Sequence, residues 1–82
     1  MKYVFKSHAL KRIKERSIPK RLVKETLMFP TKILYDDKGR ILFKKIYNKN
    51  GKQRLLLVAG EEVKDTLEII TVIDTSKVKK YL

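Results

Sequence analysis

The spacing of hydrophobic and polar positions changes once along the chain, near Thr31. Before that point apolar residues recur at intervals of three and four, which is typical of helices, and after it they form extended runs typical of strands. A short β-prone piece at residues 3–5 precedes the helical part. The pattern therefore predicts an edge strand, two helices and then a sheet.

The first predicted helix covers residues 7–16, with Ser7 as a side-chain cap of its first free N–H groups. Ala9, Leu10 and Ile13 share one apolar face of this helix. Pro19 ends the helix and starts the next one, because proline lacks an N–H and excludes the preceding residue from helical geometry. The second helix buries a stripe and ends at Phe29 and Pro30; the stripe comprises Leu22, Val23, Thr26 and Leu27.

The second part of the chain predicts four strands joined by turns, with an acidic loop at residues 60–65. The strands are predicted at residues 32–36, 40–47, 54–59 and 67–74. Asn48-Lys49-Asn50-Gly51 is the clearest turn, and alternation places Lys44 and Lys45 on opposite faces of their strand. Residues 76–82 form a short helix or a tail. We predict a single α+β domain over residues 1–82, with two N-terminal helices packed on one face of a mostly antiparallel four- to five-stranded sheet.

Composition adds a strong charge to this picture. Lys and Arg number 21 against nine Asp and Glu, which gives a net charge of +12 in a chain of 82 residues. Such a charge favours polyanionic partners. There is no cysteine, and the apolar runs are too short for a signal peptide or a membrane span, so we expect a cytoplasmic protein with no membrane contact. With one histidine and no cysteine, no metal site and no cofactor are expected.

A family resemblance rests on three segments of the chain. The first segment, HALKRIKERSIPKRLVKETLMFP, opens with the pattern H-A-x-x-R-x-x-x-R. The second segment is DDKGR, at the first predicted hairpin, and the third is ITVIDTSKVKKY. These segments resemble a family of small prokaryotic proteins of unassigned function that is related in layout to BrnT-type and RelE/ParE-type toxins. The resemblance implies a RelE/BrnT toxin-like domain, RNA as substrate, free or on the ribosome, and an antitoxin protein as partner.

The residues themselves suggest where RNA cleavage would take place. Metal-free cleavage needs an acid, a base and cations that neutralise the phosphorane. Histidine is the side chain whose ordinary pKa lies near neutrality, so His8 is the first catalytic candidate. Arg12 and Arg16 follow at intervals of four and are candidates for phosphate binding. The alternatives are a histidine that caps or packs and arginines on a solvated helix face.

Two further groups of candidates lie in the second part of the chain. Lys45, Tyr47 and Arg54 are candidates for RNA binding, in which tyrosine stacks on a base and the cations hold phosphates. The alternative is an edge strand that lysines protect from pairing. Lys77 and Tyr81 are catalytic candidates by resemblance alone, because RelE-type toxins keep a catalytic tyrosine or basic residue in this region. Tyr81 as an apolar anchor is the alternative.

Three functions remain open from the sequence. The first is a toxin-like, metal-independent endoribonuclease of a toxin–antitoxin pair. The second is a non-catalytic RNA- or DNA-binding module that uses the same basic surface. The third is an inactive toxin relative that acts through an acidic protein partner. The geometry expected for the first is that His8, Arg12 and at least one of the later candidates border one concavity.

Overall fold

The computed structural model describes residues 2–82 and has an α+β fold with a five-stranded, mostly antiparallel sheet and three helices. The predicted fold class is therefore confirmed at this level. The elements in chain order are β1 (Lys2–Phe5), α1 (Ser7–Glu15), α2 (Lys20–Met28), β2 (Lys32–Tyr35), β3 (Arg40–Lys49), β4 (Lys52–Val63), β5 (Thr66–Thr75) and α3 (Val78–Tyr81). No helix in this described part is long and apolar enough to cross a membrane.

The strands are ordered β1-β5-β4-β3-β2 across the sheet. Neighbours pair antiparallel except β1, which runs parallel to β5 at one edge. Asn50 and Gly51 join β3 to β4 with φ angles of 51° and 78°, the left-handed conformation that a two-residue hairpin turn needs. The predicted edge strand is confirmed, and the turn predicted at residues 48–51 is limited to Asn50 and Gly51 because β3 continues to Lys49. β2 pairs with residues 41–44 of β3, so edge protection does not explain Lys44, whereas residues 45–49 extend beyond this pairing.

The predicted acidic loop at residues 60–65 is wrong. β4 continues to Val63 and β5 begins at Thr66, so only Lys64 and Asp65 form the turn. The two strands stay paired past an irregularity between Ala59 and Gly60, and a Cβ on Gly60 would lie only 2.9 Å from Leu67 Cδ1. Backbone pairing therefore extends through a stretch whose acidic side chains had suggested a loop.

The helices begin and end near the predicted positions, but the predicted Ser7 cap is wrong. Lys6 occupies the N-cap of α1, Ser7 is already helical, and no side chain caps this end. At the other end Ser17 has a φ of 51° and the Ile18 N–H donates to the Ile13 carbonyl at 2.9 Å. Pro19 is the N-cap of α2. The Ile-Pro step thus separates the two helices as expected.

The main hydrophobic core joins α1, α2 and one face of the sheet. Its buried residues are Ala9, Ile13, Ile18, Val23, Leu27, Ile41, Phe43, Leu56, Val58, Leu67, Ile69 and Val72. Leu10, expected on the apolar face of α1, is 50% exposed and lines a groove between the two helices with Lys20, Val23 and Lys24. The Leu10 side of α1 therefore faces α2.

Two adjacent lysines show that α2 and α3 lie on opposite faces of the sheet. Lys45 Nζ donates to the Phe29 carbonyl at the end of α2 at 3.0 Å. Lys44 Nζ donates to the Tyr81 carbonyl at 2.5 Å and is buried. Since neighbouring residues of a strand point to opposite faces, the segment after β5 crosses the face that α2 does not cover. Lys32 Nζ, on edge strand β2, contacts the Leu82 carbonyl at 3.1 Å.

Candidate nucleic-acid interface

The first helix presents its candidate residues to solvent. His8, Arg12 and Arg16 are all exposed, and His8 and Arg12 lie on the side of α1 opposite Leu10, away from α2. At a rise of about 1.5 Å per residue, His8 and Arg16 are separated by about 12 Å along the helix axis. One phosphodiester can contact His8 and Arg12 together, whereas Arg16 lies one turn further on.

Most cations of the helix pair have no acidic partner. Within residues 2–82 the ion pairs are Lys6–Glu68, Arg21–Glu25 and Arg54–Asp74. Only the Arg21–Glu25 pair lies on α1 or α2. We call the exposed cations outside this pair, together with the histidine, the helix-pair surface: His8, Lys11, Arg12, Lys14, Arg16, Lys20 and Lys24. Its positive charge is therefore largely uncompensated within the chain.

Tyr47, Arg54 and Asp74 form a hydrogen-bonded cluster on β3, β4 and β5. The Tyr47 hydroxyl donates to Asp74 Oδ1 at 2.7 Å. Arg54 Nε donates to Asp74 Oδ1 at 3.1 Å and lies 3.3 Å from Oδ2. Register explains the meeting, because Tyr47 pairs with Arg54 and Asp74 pairs with the next-but-one residue of β4, Leu56.

The cluster changes the titration of two of its members. Burial, followed by the hydrogen bond to Asp74 and its negative charge, raises the pKa of Tyr47 to about 12. The same carboxylate raises the pKa of Arg54 above its ordinary value, mainly through the hydrogen bond to it. Tyr47 is therefore a protonated donor at neutral pH, and the cluster is a satisfied polar unit within a mostly apolar layer.

A cavity of about 320 Å³ adjoins this cluster. Its sides are formed by the connection between α1 and α2, the first turns of α2 and the end of β3; the lining residues include Ser17, Ile18, Pro19, Leu22, Tyr47 and Asp74. Arg21, Glu25, Asn48 and Lys49 complete the lining. The cavity combines an apolar side with a carboxylate and a phenol, the combination common in sites for small polar ligands.

The tail candidates lie elsewhere. Lys77 is the exposed N-cap of α3, and Tyr81 is 42% exposed with Lys80 Nζ 5.3 Å from the centre of its ring. Both residues are on the side of the sheet opposite α1 and α2. Neither the cavity beside the Tyr47–Arg54–Asp74 cluster nor the groove between α1 and α2 is lined by His8, Arg12 or Arg16, so neither is the concavity expected to join His8 and Arg12 to a later candidate.

The structure thus brings some candidates together and separates others. Tyr47 and Arg54 meet through Asp74, and the three candidates of α1 share one helix. Lys45 has a structural contact to the end of α2. In residues 2–82 no three histidine, aspartate or glutamate side chains are grouped closely enough to hold a metal ion.

No known protein family, curated protein or solved structure matches this chain. The function must therefore be argued from the residues and their arrangement. The sequence reasoning missed Asp74, whose side chain is only 9% exposed and holds the cluster together. The available signal was a single carboxylate at the end of an apolar strand, because a buried carboxylate requires donors.

Proposed function

We propose that this protein binds RNA through the helix-pair surface. The observation that supports this proposal is the set of exposed cations on α1 and α2 that have no acidic partner. Cations that are already solvated and unpaired lose no internal contact when they bind phosphates. Binding to a polyanion then releases counterions from the nucleic acid, which supplies most of the favourable free energy.

The binding proposal is tested with a fluorescent RNA oligonucleotide and a matched pair of variants. Arg12→Gln/Arg16→Gln removes two charges from the helix-pair surface, and Lys77→Gln/Lys79→Gln removes two charges from the opposite side. We expect the first variant to lose about tenfold in affinity for RNA. For single-stranded RNA, the slope of log Kobs against log[salt] should become less steep by about 1.4. Equal losses in both variants would contradict a defined surface.

We propose further that the protein is a toxin-like, metal-independent endoribonuclease with its catalytic centre on α1. The observation that favours this function is that His8 and Arg12 are exposed, one turn apart, on the same side of the helix. In that arrangement the 2′ oxygen attacks phosphorus and the bond to the 5′ oxygen breaks. The imidazole either accepts the 2′-hydroxyl proton or, when protonated, donates a proton to the leaving 5′ oxygen, water takes the other proton transfer, and the guanidinium binds the phosphate bidentately. Arg16 holds the next phosphate along the strand.

We propose that Lys77 and Tyr81 lie apart from this centre. The sheet and the helices on both of its sides separate them from His8, so one phosphodiester does not reach both groups. Catalysis from α1 therefore predicts that Tyr81→Phe and Lys77→Gln cleave RNA at the rate of the unmodified protein.

The cleavage proposal is tested by incubating the purified protein with end-labelled RNA in low salt and EDTA. His8→Ala removes the imidazole and should slow cleavage by about 100-fold or more, the typical contribution of a positioned acid or base. RNA binding by the same variant should persist. If His8→Ala cleaves as fast as the unmodified protein, the catalytic assignment is wrong. A parallel reaction with ribosomes tests whether the substrate is RNA on the ribosome.

An acidic antitoxin is the protein partner that we propose for the toxin function. The net charge of +12 favours an acidic protein that covers the same cations as RNA. A purified antitoxin candidate from the neighbouring gene should therefore compete with RNA for the helix-pair surface. Simultaneous binding of both would contradict this arrangement.

A further inference from the structure

The cavity beside the Tyr47–Asp74–Arg54 cluster differs in charge from the rest of the molecule. Its lining contains Arg21 and Lys49, but also Glu25 and Asp74. In a chain with more than twice as many cations as acids, this near balance sets the cavity apart from the helix-pair surface. A ligand of the cavity must therefore offer more than negative charge.

Asp74 has an oxygen with spare capacity to accept a hydrogen bond. Oδ1 accepts from the Tyr47 hydroxyl and from Arg54 Nε, whereas Oδ2 has only the longer 3.3 Å contact to Arg54. Each oxygen of a carboxylate has two lone pairs. Asp74 lines the cavity, and Oδ2 is its oxygen with fewer donors, so we infer that Oδ2 accepts from a donor group of a ligand.

The remaining sides of the cavity suit a flat ring. Pro19, Ile18 and Leu22 give an apolar side, and Tyr47 contributes an aromatic side chain. Stacking on tyrosine is a general way of holding an unpaired base. The volume of about 320 Å³ lies near the lower end of the range of small-ligand sites, about 300–1,000 Å³.

We propose that this cavity binds an unpaired RNA base that carries an exocyclic amino group, with the amino group donating to Asp74 and the attached phosphate held by Arg21 and Lys49. Guanine, adenine and cytosine carry such an amino group, and uracil does not. Glu25, whose carboxylate lies 3.8 Å from Arg21 Nε, gives up this exposed ion pair when the phosphate binds. The inference deepens the proposed RNA binding by naming the feature of RNA that is read.

The direct test uses mononucleotides rather than RNA. The ¹⁵N-labelled protein is titrated with GMP, AMP, CMP and UMP while backbone amide signals are followed. We expect shifts at Ser17, Leu22 and Asn48 for the first three nucleotides, and binding of UMP that is weaker by about tenfold because one hydrogen bond to a charged group is missing. Shifts that do not distinguish UMP, or no shifts at millimolar concentration, would overturn the inference.

Two variants and one control test the apolar side of the cavity and the phosphate contact separately. Leu22→Trp fills the cavity and should abolish the shifts, whereas Leu34→Trp, an equal enlargement at a residue 42% exposed outside the cavity lining, should preserve them. Lys49→Gln, at an exposed position, should weaken all four nucleotides by the same factor and leave the corresponding nucleosides unaffected. If the four nucleotides bind Lys49→Gln in a different order of affinity from the unmodified protein, the assignment of Lys49 to the phosphate is contradicted.

The outcome also distinguishes this inference from the proposed function. If long RNA binds with the expected salt dependence but UMP binds as tightly as the other mononucleotides, the cavity assignment fails and the helix-pair surface stands. If the mononucleotides bind in the expected order but long RNA does not bind, the preference of the cavity for amino-bearing bases stands, whereas RNA as the source of the base and the helix-pair surface both fail.

Discussion

The cations of the sheet and the cations of the helix pair have different surroundings. Lys44, Lys45 and Arg54 lie on β3 and β4, and each donates to an acceptor within the chain. The cations of the helix-pair surface are exposed and take part in none of the ion pairs of residues 2–82. Lys44, Lys45 and Arg54 therefore hold elements together, whereas the cations of the helix-pair surface, like Lys49 and Lys52 beside the β3–β4 turn, remain exposed.

Burial explains this difference for Lys44. Lys44 is 7% exposed, and a buried ammonium group without acceptors would be strongly destabilising. The side chains of α1 reach water instead, so their charges need no internal acceptor. The comparison teaches that the location of a cation, rather than its place in a basic stretch of sequence, indicates whether it serves stability or binding.

The largest expected effect comes from removing the acceptor of the sheet cluster. Asp74→Ala leaves Tyr47 and Arg54 without their shared partner, and we expect the free energy of unfolding to fall by about 2–3 kcal/mol. Urea denaturation measures this change. Asp37→Ala, at an exposed carboxylate in a turn, is the control and should change stability by less than about 0.5 kcal/mol. Similar losses in both variants would remove the distinction between buried and exposed charges.

A smaller, local effect is expected at Lys44. Lys44→Met keeps the apolar stem but removes the donor to the Tyr81 and Leu82 carbonyls, so α3 loses an anchor on the sheet. We expect faster amide exchange in Val78–Tyr81 and a global loss of about 1–2 kcal/mol. Exchange that accelerates equally in β4 would show that Lys44 supports the whole sheet rather than α3.

Two variants with opposite expected effects test the comparison at about 1 kcal/mol or less: one should change stability and the other RNA binding. Lys45→Met removes the donor to the last turn of α2 and should lower stability by about 0.5–1 kcal/mol without weakening RNA binding. Lys14→Gln should weaken RNA binding about threefold and leave stability within about 0.5 kcal/mol. Denaturation and RNA titration of both variants measure all four values. Loss of RNA affinity in Lys45→Met would place this lysine in the binding surface.

A further expected effect is confined to alkaline pH. The pKa of Tyr47 is raised from 10 to about 12, so the folded state retains a proton that the unfolded state loses. The resulting stabilisation is complete below pH 10 and disappears as the pH rises from about 10 to about 12. Subtracting the stability profile of Tyr47→Phe removes the common titration of the lysines. Parallel profiles of the two proteins above pH 10 would contradict the raised pKa.

Local chemistry predicted much of the fold. The Ile18-Pro19 step, the Asn50-Gly51 turn and the alternation at Lys44 and Lys45 depend on neighbouring residues, and each is found where it was expected. The loop prediction for residues 60–65 was wrong. Their acidic composition is typical of loops, but the pairing of β4 with β5 extends through Val63 and overrides this local preference.

The candidate site was less predictable because its contacts are distant in sequence. Tyr47 and Asp74 are 27 positions apart, and the register of three strands decides that they meet. The placement of Lys77 and Tyr81 depends on the segment after β5 crossing the face opposite α2, which residue spacing does not reveal. The exposure of His8 and Arg12 agrees with the helical period, whereas their roles in RNA binding and cleavage remain predictions.

The parallel pairing of β1 with β5 also governs the order of events during synthesis. Lys2 pairs with Thr66, and α1 packs chiefly against β5. A nascent chain that has not yet reached residue 66 holds β1 without a neighbour and the apolar side of α1 uncovered. Closing such a long loop is entropically costly and slow compared with local hairpins. The basic helix is therefore translated before the strand that fixes it in place.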